Sequence, residues 1–138
     1  MAGPRLIPYA GDRIRVLAQT AEVAFVHWPI PARFAGPPPH HHDDFDEALY
    51  VLEGALTMTI GRAEPEPAPT GTLIFAPRGV RHCFANPHDR PALVLGTLTP
   101  GTALAFVAEI GAALPPTGPI DPELLRPIYE RHHSALDP

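Results

Sequence analysis

A single cysteine in 138 residues, Cys83, excludes an internal disulfide and agrees with a reducing compartment. Its simplest role is that of a small buried apolar side chain beside His82. No run of basic residues occurs, and a net charge of -5 lacks the electrostatic footprint of a nucleic-acid binder. No apolar stretch is long enough to span a bilayer, and the opening segment MAGPRLIPYAGDR contains no apolar signal core. These gaps predict a soluble, cytoplasmic protein whose partner is a small molecule, with no nucleic acid and no membrane involved. The length suits one domain that buries about 70% of the surface its unfolded chain exposes.

What the chain does have is turn residues. Its 20 prolines and 11 glycines stay below the roughly 25% that marks low-complexity chains. They also fall between short β-rich segments: RIRVLAQ, EVAFVHW, EALYVLE, ALTMTIG, TLIFAP, HCFAN and ALVLGTL. Many short strands bounded by turns predict an all-β sandwich or barrel. Glu53 and Gly54 occupy the place of a tight hairpin turn, so residues 47–53 and 55–60 are expected to pair. Pro65, Pro67 and Pro69 stand at alternate positions, which only an edge strand or a polyproline segment tolerates. After residue 100 the pattern changes. Ala103, Phe106, Val107 and Ile110 share a helical face, with Thr102 as expected N-cap and Gly111 as stop. DPELLRPIYERHH reads as a second helix, with Asp121 as N-cap, Pro122 at its first position and Pro127 kinking or dividing it. The expected layout is a barrel over residues 1–100, N-terminal strands included, with a helical extension over 101–138 packed on it as part of one domain.

The stretch GPPPHHHDDFDEALYVLEG, residues 36–54, concentrates the chemistry. Residues two apart on a strand share a face, so His40 and His42 can aim at one ion while His41 points away. Glu47 follows His42 at an odd separation, and the turn-prone DDFD segment must bend the chain for the carboxylate to join them. His82, in PRGVRHCFAN, is a fourth candidate delivered from far along the chain. Asp43, Asp44 and Asp46 are expected at the turn or surface, with one of them able to orient a ligating imidazole. His88, His132 and His133 are expected in solvent.

These residues resemble the two motifs of the cupins. His40, His42, Glu47 and Gly54 fit the first, G-x5-H-x-H-x(3,4)-E-x6-G; Gly71, Pro77, Gly79, His82 and Asn86 fit the second, G-x5-P-x-G-x2-H-x3-N. Phe34 stands where the first motif has its leading glycine. Reading from Gly36 instead would replace an imidazole ligand by Asp44, and the parse from His40 is preferred. The resemblance covers residues 11–100. It implies a cupin double-stranded β-helix (jelly-roll) barrel, usually a homodimer, holding one divalent transition metal per chain through His40, His42, Glu47 and His82. Imidazoles with a carboxylate suit Fe, Mn, Co, Ni, Cu or Zn, and sequence does not select among them.

Strand parity places Leu49 and Val51 with Glu47, and Val80 and Phe84 with His82, as an apolar substrate pocket to which His27 is added. Arg33, Arg78 and Arg81 are the cations nearest the barrel mouth. The whole pattern resembles small single-domain cupins of the quercetin 2,3-dioxygenase type, which implies a metal-dependent dioxygenase for a phenolic or enolisable molecule, with Glu47 taking the substrate's hydroxyl proton. A redox-neutral isomerase, lyase or decarboxylase, or a non-catalytic metal- and ligand-binding protein, is the alternative.

Overall fold

The computed structural model describes residues 5–137. Two β-sheets face each other across an apolar interior. The larger contains β1 (Leu6–Tyr9), β2 (Asp12–Gln19), β3 (Ala24–Ile30), β5 (Asp46–Glu53), β8 (Leu73–Ala76) and β10 (Ala92–Thr99), in the order β1-β2-β3-β10-β5-β8. The smaller contains β4 (His40–His42), β6 (Ala55–Ile60), β7 (Glu66–Pro69), β9 (His82–Ala85) and β11 (Ser134–Leu136), in the order β11-β4-β9-β6-β7. Every pairing is antiparallel. Period-2 alternation sends Val26, Trp28 and Ile30 inward from β3, Leu49 and Val51 from β5, and Val94 and Leu98 from β10. The all-β barrel predicted from the strand-and-turn pattern is thus the fold, with two short helices after it: α1 (Leu104–Ala113) and α2 (Pro122–Arg131).

The expected hairpin does not form. β5 pairs with β10 and β8, whereas β6 pairs with β7 and β9, so the chain at Gly54 crosses from one sheet to the other. Gly54 does adopt a positive φ of 77°, and a Cβ there would lie 2.9 Å from the Pro91 carbonyl oxygen. The dihedral expected of Gly54 is present and the hairpin is not: a left-handed turn serves a barrel corner as well as a hairpin. Of the alternating prolines, Pro67 and Pro69 lie on an edge, β7, paired only to β6 at the margin of the smaller sheet, and Pro65 precedes the strand.

The helices depart from expectation in their ends. Thr102 lies within a 3-10 turn, Gly101–Ala103, and caps nothing; α1 begins after Ala103. It runs past Gly111 and stops where Pro115 follows Leu114. Gly111 is a contact point rather than a terminator, because a Cβ there would sit 2.0 Å from the backbone oxygen of Pro8 in β1. In α2 the Asp121 carboxylate accepts from the Glu123 N–H at 2.9 Å, as expected of the cap, and Pro122 is at the first turn. Pro127 sits inside α2 without dividing it; Leu125, Ile128 and Tyr129, on either side of the proline, are all buried and hold both halves against the barrel.

A Gly111→Ala exchange would raise intrinsic helix propensity by about 1 kcal/mol. The clash with Pro8 outweighs that, and the variant is expected to lose about 1–3 kcal/mol in urea unfolding.

Candidate metal centre

β4 is three histidines long, and its burial alternates as parity demands: His40 and His42 are buried, and His41 is half-buried beside Asp43 and Asp137. On the neighbouring strand, β9, His82 stands opposite His40. The second-motif turn that delivers it is tied to the first: the Gly79 N–H donates to the His42 carbonyl at 2.7 Å, and the Val80 N–H to the Pro77 carbonyl at 3.1 Å. Asn86 is fully buried, donating to the carbonyls of Pro31 and Arg90, and locks the end of β9.

The three rings converge. Their centroids are 4.4 Å (His40–His82), 4.8 Å (His40–His42) and 5.1 Å (His42–His82) apart. One nitrogen from each lies within 4.8 Å of the others. Each Nδ1 is engaged outward: His40 with the Pro38 carbonyl at 2.8 Å, His82 with the Val80 carbonyl at 2.9 Å, and His42 with the Ser134 hydroxyl at 2.7 Å. A carbonyl only accepts, so His40 and His82 each carry a proton on Nδ1, and the neutral form of either ring presents Nε2 as a bare lone pair. Nε2 of His42 and of His82 are buried and have no hydrogen-bond partner among the described residues. Orphaned buried nitrogens of this kind are costly unless something binds them, and three neutral imidazoles are the donor set a transition metal takes. Three buried histidines here can bind a metal ion.

Glu47 enters from β5, after the chain turns at Asp43 and Asp44, and is buried with Oε1 3.6 Å from His82 Nε2. Burial lowers the pKa of His40 to about 3, aided by the charge of His82 and only partly offset by the Pro38 carbonyl. Burial, then His40 and His82, push His42 lower still. His82 is the exception: burial disfavours its charged form, but the Glu47 carboxylate and the Val80 carbonyl outweigh that and raise its pKa.

Aromatic side chains enclose the cluster. Phe45 stacks on His42 at 4.0 Å, Tyr129 stacks on His40 at 4.9 Å, and Phe106 meets the His42 ring edge-on at 5.0 Å. Around the cavity lie His40, His42 and Glu47, walled by Tyr9, Trp28, Pro37 and Phe84 from the barrel and by Phe106, Val107, Ile110 and Tyr129 from the helices. The free space is about 20 Å³, room for one water-sized occupant. No arginine is among these residues: Arg33 bonds the Pro87 carbonyl, Arg78 binds Asp46 and the Thr99 carbonyl, and Arg81 binds the carbonyls of Asp137 and Gly61.

Of the residues expected to line a pocket, Phe84 does so. Leu49 and Val51 are buried in the barrel core but do not reach the cavity, and Val80 is half-buried in the turn before β9. His27 faces the other side of β3; its neighbour Trp28 is the inward residue. The apolar alternation Val26, Trp28, Ile30 was the available signal for that choice. Phe106, Val107 and Ile110 share one helical face in the sequence pattern, but nothing in the sequence says that this face closes the barrel. None of Asp43, Asp44 and Asp46 bonds a cluster imidazole: Asp44 pairs with His133, and Asp46 accepts from the Arg78 N–H. His132 is half-buried against Glu109, not free in solvent, and Cys83 is half-buried on the face of β9 opposite His82.

A model of the Cupin domain matches residues 27–99, just over half of the chain, including all four candidate ligands. The protein is a cupin. It is 32% identical over 85 residues to a germin-like protein, subfamily 2 member 3, of Arabidopsis thaliana, covering 56% of this chain but only 39% of that relative's length. Among solved structures it resembles an RmlC-like cupin from Shewanella frigidimarina (TM-score 0.60, 19% identity, 70% of this chain and 84% of the other). It also resembles a sugar phosphate isomerase of the cupin superfamily from Silicibacter pomeroyi (TM-score 0.57, 22% identity, 70% and 71%). At these identities the likeness is one of fold. No helix among this cupin's described residues is long and apolar enough to cross a membrane.

The depressed pKa values set a pH dependence for the metal-free cupin. Below pH 6.5 the unfolded chain binds protons that the buried rings of His40 and His42 refuse, so stability is present above 6.5 and is lost as pH falls toward 3. His82, with its raised pKa, acts in the opposite sense, one ring against two. Urea melts at pH 7 and pH 5 are expected to show a smaller acid loss in His42→Gln than in the parent protein.

Proposed function

We propose that this cupin holds one divalent transition metal through His40, His42, His82 and Glu47, and that it is a dioxygenase for a phenolic or enolisable small molecule. The observation that carries the reading is a buried carboxylate set beside three convergent imidazoles; it opens with His40 and His42 onto a cavity walled by aromatic and aliphatic side chains with no cation among them. The bound metal supplies a Lewis acid and a binding position for dioxygen or for a substrate oxygen.

The protein's own residues do the rest. The walls exclude water and offer flat faces to a ring. Glu47 is in place to accept the proton of a substrate hydroxyl brought next to His82. An uncompensated phosphate would find no positive side chain in the lining, which argues against phosphorylated sugars. A space of about 20 Å³ cannot admit an aromatic ring, so substrate enters only as the side chains of α1 and α2 give way.

Oxygen uptake by metal-analysed protein against a panel of flavonols and diketones tests the proposal. Uptake is expected with stoichiometric metal, and Glu47→Gln should lower it by about 100-fold or more. His42→Ala should lose the metal and His41→Ala should keep it. Full metal loading without uptake on any substrate would favour isomerase, lyase or decarboxylase chemistry, or binding alone.

The outer face of the larger sheet supports the homodimer. Phe25, Thr97, Ala48 and Phe75 form one cross-strand row over β3, β10, β5 and β8; His27, Leu95, Tyr50 and Leu73 form the next. Phe25, Tyr50, Leu73 and Phe75 are exposed, and across these four strands neither row contains a carboxylate, lysine or arginine; on β2 the second row continues to Arg15, opposite His27. An apolar patch of this kind can meet a second copy of itself about a two-fold axis. Sedimentation is expected to show a dimer, and Phe75→Glu a monomer with unchanged metal content.

A further inference from the structure

The ring that differs from its two partners in its support is His42. His40 and His82 lean on backbone carbonyls two residues away in sequence, but His42 Nδ1 meets the hydroxyl of Ser134, 92 residues further along the chain. A carbonyl leaves a ring no choice of tautomer. A hydroxyl does, because it can accept from Nδ1–H or donate to a bare Nδ1, and the second arrangement would put the ring proton on Nε2 and block it as a ligand.

The surroundings of Ser134 decide between the two. Its side chain is buried, and Oγ lies 3.2 Å from the His132 carbonyl oxygen, which can only accept. The one hydroxyl proton therefore goes to that carbonyl, and the oxygen is left to accept from His42 Nδ1–H. The strand carrying Ser134 is placed for this task. β11 pairs with all three residues of β4, Ser134 opposite His42, Ala135 opposite His41 and Leu136 opposite His40. β9 pairs with β4 only at His40. Further bonds flank the pair, from the Asp43 N–H to the His133 carbonyl at 2.9 Å and from the Asp137 N–H to the Pro39 carbonyl at 2.7 Å.

We propose that Ser134 is a positioning residue for the metal centre: by donating to the His132 carbonyl and accepting from His42 Nδ1, it holds His42 in the tautomer whose Nε2 is free to bind a metal. The C-terminal strand is thus part of the ligand machinery rather than packing outside it. The inference rests on the reading of His42 as a ligand, but it concerns a proton whose place can be observed without any metal.

The experiment is long-range proton–nitrogen correlation on metal-free protein with 15N-labelled histidine, paired with zinc titration against a chromophoric chelator. In the parent protein His42 is expected as the Nδ1–H form. Ser134→Ala should shift His42 toward the Nε2–H form while His40 and His82 keep theirs, and should weaken zinc binding by about 10–100-fold. Ser134→Thr, which keeps a hydroxyl, should restore both. A parent spectrum with the proton on Nε2 of His42 overturns the proposal, and it does so whether or not Ser134→Ala folds. Ser134→Ala retaining both the tautomer and the zinc affinity of the parent also overturns it. A parent protein that shows Nδ1–H but binds no zinc refutes the metal centre and leaves the tautomer assignment standing.

Discussion

Three imidazoles with centroids 4.4–5.1 Å apart in a buried interior can coexist only while at most one is charged, since like charges at that distance repel strongly away from bulk water. The surrounding structure meets that constraint from three sides. Outward acceptors anchor the ring protons, aromatic faces displace water, and the single carboxylate sits next to the one ring whose charged form the site tolerates. Stability and metal affinity are therefore opposed in this molecule. The same desolvated lone pairs that weaken the empty barrel are what a cation would bind most strongly.

Much of this was legible in the chain because period-2 geometry is strict. His40 and His42 share a face and His41 does not, whatever the rest of the barrel does, and the motif around His82 supplied the partner strand. Leu49 and Val51 were likewise correctly turned inward, yet parity gives a direction and not a depth, so it could not tell a cavity wall from a core residue. Gly54 shows a second limit. Its positive φ follows from local chemistry, but whether the turn returns the chain to the same sheet or hands it to the opposite one depends on long-range pairing with β10 and β9. Gly111 shows a third, since a glycine needed for close approach to Pro8 has the same letter as one that ends a helix. Ser134 carried no local signal at all; an isolated serine near a chain end acquires meaning only when β11 lies beside β4.

The segment after the barrel has two roles that share residues. Phe106 and Tyr129 pack against the rings of His42 and His40, respectively, and also fill the space a substrate would need. β11 follows α2 after two residues and pairs with β4, so the same segment also supplies the strand beside His42.

At the far margin of the smaller sheet, β7 pairs with β6 through Glu66, Pro67, Ala68 and Pro69. Imino acids at positions 67 and 69 have no hydrogen to offer, and an antiparallel ladder accepts them only where the amide points away from the neighbour. A foreign strand approaching that rim would meet oxygen atoms alone and could complete no ladder. Growth of the sheet sideways is closed off there.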